Sequence, residues 1–314
     1  MYAFVVNPHS GNGRSLNVWK EVEMILLKRD IMYRVLMTQN KEDLEQFITK
    51  LKASKKPIKA VVALGGDGTI HEVINYLKGT SFPFRVIPTG SGNDFARAQG
   101  ITRKVQKEVD LILKGRIEKI DVLEMRNRHC ITVIGLGFDG EVARVTNQMR
   151  YKKWLGRLAY LYSVLKVLSY YNPSAVKVTV GREERTFNHV WLVAVANHPY
   201  YGGGMKICPN ANSQDGKLDV CVVHGLSKWK LLSLFPRVYK GSHVYCQGVT
   251  TYQTDSVHIQ SEQPLLIHGD GENIGHSPVT ISIKKEELYL ISDNSLGAAA
   301  ERRKAKGFSL PPSR

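Results

Sequence analysis

The sequence predicts an α/β domain followed by a β-rich domain whose strands form an antiparallel sheet or sandwich, and three observations predict it. Apolar runs of strand length alternate with amphipathic helical patterns from residue 2 to about residue 120. The loops that join strand to helix in three of these units are crowded with glycine, asparagine and small hydroxyl residues. Beyond residue 120 the alternation stops and strand-like runs dominate, which marks a domain boundary there.

Residues 2–6 read as a strand that enters Asn7-Pro8-His9-Ser10-Gly11-Asn12-Gly13-Arg14, with a helix after it whose Leu16, Trp19, Val22 and Leu26 should face inward. A second strand over 32–38 ends in Thr38. A helix over 41–54 follows, with Leu44, Phe47, Ile48 and Leu51 inward. The apolar run 58–64 is a buried strand that meets Gly65-Gly66-Asp67-Gly68-Thr69. Ile70, Val73, Ile74 and Leu77 then recur at helical spacing, with Thr69 expected as N-cap and Glu72 completing a capping box. The strand over 84–87 ends in Pro88-Thr89-Gly90-Ser91-Gly92-Asn93, ahead of a helix start at Asp94.

The second domain is expected to contain strands over 129–134, 175–180, 187–196, 218–223, 249–260, 264–268 and 279–291, with helical patterns at 141–149, 155–169 and 228–239. The division is thus 1–120 and 121–296. The basic, proline-containing residues 297–314 either return to the first domain or form a solvated tail.

At 314 residues the chain has room for two domains, and its four cysteines, Cys130, Cys208, Cys221 and Cys246, show no CxxC pair or zinc-ligand spacing. A reducing, cytoplasmic compartment fits, and no charge-free apolar run approaches the length of a membrane span. The formal charge of +16 points to an anionic partner. No zinc-finger, RNP1 or basic-zipper pattern occurs, so nucleic acid is not the expected one.

Glycines let a ligand approach the backbone, and a helix N-terminus offers unpaired N–H groups and a positive dipole end. Three such loops on one edge of a parallel sheet, where open α/β folds place ligands, point to a nucleotide or other phosphate site. Gly135-Leu136-Gly137-Phe138-Asp139-Gly140 satisfies GxGxxG, but it opens the β-rich part and lacks the downstream ribose-binding acid. In His268-Gly269-Asp270-Gly271-Glu272 two carboxylates lie two residues apart after an apolar strand. Asp-Gly is also a common tight turn, but near a phosphate donor one carboxylate could take a hydroxyl proton while the other tunes it. Asn212-Ser213-Gln214-Asp215-Gly216-Lys217 reads as a polar turn or a loop cation site. Residues 152–171 and 228–239 mix apolar, aromatic and basic residues, as interfacial helices and ordinary packed helices both do.

In order and spacing, NPHSGNGR (7–14), Thr38, LGGDGTIHEV (64–73), PTGSGNDFAR (88–97), GLGFDGEVA (135–143), DGKLDV (215–220) and HGDGE (268–272) together resemble the diacylglycerol kinase catalytic family, near its soluble bacterial lipid kinases and related to sphingosine kinases. The GGDGT loop alone is also similar to that of NAD kinases. The resemblance implies an α/β nucleotide-binding domain and an all-β sandwich with ATP and lipid in the cleft between them. It implies ATP contacts from Asn7, Pro8, His9, Ser10, Gly11, Thr38, Leu64, Gly65, Gly66, Asp67, Gly68, Thr69, Ile70 and Thr89. It makes Asp270 and Glu272 the catalytic carboxylates, and it implies a structural Mg²⁺ at Asp215 with main-chain oxygens near Asn212 and Lys217. The expected activity is ATP- and Mg²⁺-dependent phosphorylation of a lipid hydroxyl, with diacylglycerol as the first acceptor to consider, by a cytoplasmic protein held peripherally on an anionic membrane. A homodimer is left open. The alternatives are a NAD-kinase-like enzyme with a soluble substrate and a non-catalytic lipid- or nucleic-acid-binding protein.

Overall fold

The computed structural model describes residues 1–149 and 157–293. Strands β1 (Tyr2–Val6), β2 (Tyr33–Met37), β3 (Ala60–Gly65) and β4 (Phe84–Pro88) lie parallel in the order β4-β3-β1-β2. Successive residues of β1 serve opposite faces, as strand geometry requires. Ala3 and Val5 pack with Leu44, Ile48, Ile70 and Val73 of α2 (Lys41–Lys52) and α3 (Asp67–Leu77). Phe4 and Val6 pack with Trp19, Val22, Leu26 and Val109 of α1 (Arg14–Lys28) and α5 (Val105–Lys114). Both faces are covered, which is why β1, β3 and β4 read as continuous apolar runs. The short α4 (Asp94–Ala98) starts where the glycine loop after β4 ends.

Two local expectations are corrected. Leu16 is exposed, and Ser15 turns inward instead because its hydroxyl donates to the Asn7 carbonyl at 2.6 Å. Thr69 does not cap α3: the helix already begins at Asp67, with Gly66 as an N-cap lacking any side-chain hydrogen bond, so no capping box forms. The Thr69 hydroxyl instead accepts the Asn7 side-chain amide at 3.0 Å.

The second half is a sandwich of two antiparallel layers that share β9 (Glu183–Ala196). The C-terminal part of β9 pairs with β7 (Val133–Gly137) and β12 (Leu218–His224). Further out in that layer are β13 (Val249–Thr254), β15 (Leu266–Gly269) and β16 (Glu272–His276). The N-terminal part pairs with β8 (Ser174–Val180), which continues to β14 (Ser256–Ser261), β17 (Val279–Ser292), β5 (Arg116–Met125) and β6 (Arg128–Cys130). The chain changes layer at His189, whose φ is 57°. A small hairpin, β10 (Tyr200–Tyr201) with β11 (Met205–Lys206), stands apart.

Between the layers lie Leu123, Leu136, Val176, Val193, Val220, Ile267 and Ile281. The other face of β7, β9 and β12 is covered by α6 (Phe138–Gln148), α7 (Arg157–Tyr170) and α8 (Lys228–Lys240), through residues such as Val142, Val164, Val167, Trp191 and Leu234. The halves are physically continuous, because Leu290 of β17 pairs in parallel with Phe84 of β4. Arg85, with its side chain 2% exposed, bonds Glu108 at 2.6 Å and the Ile291 carbonyl at 2.5 Å, so it ties β4 and α5 to β17.

Residue 120 falls inside β5, and β5 and β16 are strands beyond those expected. The expected strand over 129–134 is broken at Ile131 and Thr132, whose backbone N–H groups leave the ladder to bond a carboxylate described below. The tail at 297–314 and the start of the 152–171 segment lie outside the described residues.

Candidate active site

A cleft of about 830 Å³ opens where the loops after β1, β3 and β4 face the β15–β16 hairpin. It brings together Asn7, His9, Ser10, Gly11, Thr38, Gly66, Asp67, Gly68 and Thr69 with both sequence-predicted carboxylates, Asp270 and Glu272. The other predicted contacts stand behind this lining. Leu64 and Ile70 are fully buried on opposite faces of the parallel sheet. Gly65 backs onto Thr69, whose side chain lies 2.4 Å from where a Gly65 Cβ would stand. Thr89 is buried and supports the loops through a 2.9 Å bond from its hydroxyl to Ser10 Oγ. Pro8 shapes the turn after β1.

Close backbone packing explains the glycines. A Cβ on Gly90 would stand 2.5 Å from Gly66 Cα, and one on Gly92 would stand 2.8 Å from Asp67 Oδ2. Gly66 itself has φ −103°, which any residue can adopt, so its constraint is the neighbouring loop. Arg14 and Arg103 donate to the Gly90 carbonyl at 3.1 and 3.2 Å. Burial, then the nearby Arg103 charge, depress the Arg14 pKa.

Asp67 opens α3, and its Oδ1 accepts the backbone N–H groups of Asp94 (2.8 Å) and Phe95 (3.3 Å). Burial and then the Asp94 charge, with a smaller push from Asp270, raise its pKa to about 7. Asp94 is also raised, by burial, although the Gly203 N–H at 2.7 Å and the Arg97 guanidinium oppose the shift. In the sequence Asp94 reads only as a helix start. Its place after a glycine loop on the same sheet edge as Asp67 was the available signal.

Asp270 and Gly271 are the two central residues of the β15–β16 hairpin, with φ values of 53° and 91°. Two left-handed positions are what a type I′ turn demands, and Asp-Gly supplies them at low cost. The tight turn and the reactive carboxylate are therefore the same structure. Its position is then fixed by four donors. Oδ1 accepts Thr132 N–H at 2.8 Å and the Thr132 hydroxyl at 2.5 Å, while Oδ2 accepts Ile131 N–H and His71 Nδ1, each at 2.9 Å. Burial pushes the Asp270 pKa up, but His71, Thr132 and Ile131 outweigh it and hold the group below the usual carboxylate range. Burial pushes His71 down, and the Asp270 carboxylate outweighs that, so the imidazole stays above its ordinary value. Under this pair lies Cys130, whose thiol is pushed well up by burial and then by Asp270, a neutral floor to the site. Glu272 is exposed, and its Oε1 comes within 3.4 Å of where a Gly68 Cβ would stand, so it reaches the glycine loop across the cleft.

His71 was not among the predicted site residues. It lies four positions after Asp67 and so on the same face of α3, a spacing visible in the sequence. Asp139 and His268 also line the cleft, 3.5 Å apart, with His268 stacked on Tyr201 at an interplanar angle of 8°. The GxGxxG stretch serves this packing, since a Cβ on Gly135 would stand 2.1 Å from Asp139 Oδ2 and one on Gly140 would stand 2.4 Å from the Leu266 carbonyl oxygen.

Asn212, Asp215 and Lys217 are not part of the cleft. They form a surface turn before β12, in which Asn212 Oδ1 accepts Gln214 N–H at 3.2 Å and Asp215 Oδ1 accepts Lys217 N–H at 3.0 Å. Gln253 donates to Asp215 Oδ2 at 3.2 Å.

Residues 1–125 match the diacylglycerol kinase catalytic domain, and residues 132–292 match the YegS C-terminal NAD kinase beta sandwich-like domain. A diacylglycerol kinase of Mycobacterium tuberculosis (strain ATCC 25618 / H37Rv) is 31% identical over 293 residues, covering 91% of this chain and 93% of that protein. A Bacillus subtilis (strain 168) protein, 30% identical over 312 residues (91% of this chain, 98% of that one), carries a name that goes no further than the class lipid kinase. The crystal structure of a diacylglycerol kinase from Bacillus anthracis str. Sterne has the same fold, with a TM-score of 0.72 at 20% identity over 94% of this chain and 97% of that one.

Proposed function

Because the chain belongs to the diacylglycerol kinase catalytic family, and is thereby a lipid kinase, we propose that it transfers the γ-phosphoryl group of ATP to the free hydroxyl of diacylglycerol, giving phosphatidic acid and ADP. The observation that carries the reading is the Asp270-Gly271-Glu272 turn of the sandwich opening into the same cleft as the three glycine loops of the α/β half.

The triphosphate lies along Asn7–Gly11 and Gly66–Thr69, where the uncapped N-terminus of α3 presents N–H groups and the positive end of its dipole. Phosphoryl transfer asks chiefly for positioning and charge stabilisation, which such a cradle supplies. Mg²⁺ fits beside it: burial raises the pKa of both Asp67 and Asp94, and the Asp94 charge adds to the shift at Asp67, an accumulation of negative charge that a hard cation relieves. Those two residues would hold it, and the ion would neutralise charge on the phosphates.

The lipid hydroxyl oxygen attacks the γ-phosphorus, the bond to the β-phosphate oxygen breaks, and the hydroxyl proton passes to a carboxylate. Asp270, with four donors and a depressed pKa, is a poor proton acceptor and suits orienting the hydroxyl. Glu272, reaching the glycine loop from the exposed side, is the better candidate for the base. Asp270→Asn and Glu272→Gln each keep size and packing, so turnover on diacylglycerol should fall by about 10²- to 10⁴-fold with ATP affinity little changed. Near-wild-type turnover in both would overturn the assignment.

A further inference from the structure

Helices α7 and α8 carry side chains unusual for a water-facing surface. The residues of α7 that turn inward, among them Val164, Val167 and Leu168, pack on the sandwich. The opposite side presents Leu161, Tyr162, Leu165 and Tyr170 to solvent, so the helix is apolar on both faces, a pattern expected only when both faces have an apolar neighbour. Beside it, Trp229 at the start of α8 is 82% exposed, and Tyr245 in the 3₁₀ turn Ser242–Tyr245 is 81% exposed. Lys228 joins the helices through a 3.0 Å bond to the Ser169 carbonyl, so these residues form one continuous face.

The charge on this face has one sign. Neither residues 142–182 nor residues 220–254 contain an aspartate or glutamate, whereas Lys166, Lys228, Lys230, Arg237 and Lys240 surround the aromatic residues. Glu141, at the start of α6, is engaged by Arg144 at 2.7 Å and by the Tyr170 hydroxyl at 3.4 Å. The face also stands at the rim of the cleft, since Tyr160 of α7 and Tyr239 of α8 line it.

We propose that the outer face of α7, α8 and the 3₁₀ turn seats on an anionic lipid bilayer, with Trp229 and Tyr245 entering the headgroup region and the lysines meeting lipid phosphates. Exposed indole and phenol rings on helices with basic flanks are the chemistry of an interfacial anchor. This deepens the proposed function and rests on it, because an acceptor dissolved in a bilayer must reach the cleft from the side on which Tyr160 and Tyr239 stand. A second protein copy would bury the same apolar side chains, but the uncompensated lysines would then face their own symmetry mates. That charge favours lipid phosphate.

The test uses the full chain with phosphatidylglycerol–phosphatidylcholine vesicles, pure phosphatidylcholine vesicles, and a short-chain diacylglycerol dispersed below its aggregation limit. Trp229→Ser combined with Tyr245→Ser, and separately Lys228→Gln combined with Lys230→Gln, should each lower partitioning onto the mixed vesicles by about 10-fold or more. Turnover on the dispersed acceptor should stay at the wild-type level in both, since none of the four residues lines the cleft. Wild-type partitioning in both variants would overturn the proposal. So would a variant that loses concentration-dependent self-association while keeping vesicle binding, which would assign the face to a second copy. If the wild type binds mixed vesicles and the variants do not, yet no lipid is phosphorylated, the face stands and the kinase reading fails.

Discussion

Oδ2 of Asp270 lies 2.9 Å from Nδ1 of His71, so one turn into α3 the α/β half grips the hairpin of the sandwich through a pair of side chains 199 positions apart. The nucleotide loop and the acceptor-side carboxylate thereby share one fixed geometry.

This pair has a pH signature. The His71 pKa is raised above 6.5 in the folded state, so its contribution to stability is complete below the unfolded value and lost as pH rises through the folded one. The Asp270 pKa is lowered below 3.8, so its contribution is present above that value and lost as pH falls through the folded one. The pair stabilises most between the two unfolded values. His71→Ala should therefore cost most in melting temperature at about pH 5 to 6 and progressively less above neutrality. A loss independent of pH would show that the ion pair is not what the substitution removed.

Asp67 behaves in the opposite sense. Its folded pKa of about 7 lies above the unfolded 3.8, so the folded state holds the proton longer and stability falls as pH climbs between those values. Mg²⁺ bound there offsets the penalty only once the proton has gone. Thermal unfolding should show a larger Mg²⁺-dependent gain at about pH 8 than at about pH 5, and Asp67→Asn should remove most of it. Retention of the full gain in the variant would place the ion elsewhere.

Two glycine substitutions should rank in an order the geometry sets. A Cβ on Gly90 would meet Gly66 Cα at 2.5 Å, while a Cβ on Gly66 would meet Gly90 Cα at 3.1 Å. Both contacts are backbone, so relief requires one loop to move. Gly90→Ala should weaken ATP binding more than Gly66→Ala, measured by calorimetric titration with a non-hydrolysable ATP analogue. Equal affinities in wild type and both variants would mean the two loops do not jointly hold the nucleotide.

The Arg85–Glu108 pair tests the scaffold. Both side chains are essentially buried, and Glu108 Oε1 also accepts the N–H of Thr102 at 2.9 Å and its hydroxyl at 2.8 Å. Arg85→Met would leave a buried carboxylate without its cation, at a cost of about 3–5 kcal/mol in urea unfolding. A cost below about 1 kcal/mol would show that β4, α5 and β17 do not depend on the pair.

The parallel half was legible because its strands are buried on both faces and its glycine loops sit at strand ends, so composition and position agree. Leu16 reads as inward because period 3.6 fixes a stripe only to within one residue, and the Ser15 hydroxyl bond to Asn7 decides which neighbour turns in. The strand over 129–134 reads as continuous, since nothing local reveals that Ile131 and Thr132 donate to a carboxylate 139 and 138 positions away. For the same reason HGDGE suggested either a turn or a reactive acid. That it is both follows from long-range bonds no window of sequence contains. His71 and Asp94 carried local signals, one helical turn from Asp67 and one glycine loop from β4, but their roles depend on burial.

The most direct measurement supplies ATP labelled at the γ-phosphate, a total lipid extract and NAD to the purified protein and identifies the labelled product. Label is expected in phosphatidic acid, dependent on Mg²⁺ and lost in Asp270→Asn and Glu272→Gln. Label appearing instead in a soluble nucleotide such as NADP, or in phosphatidic acid at equal rate with both carboxamide variants, would contradict it.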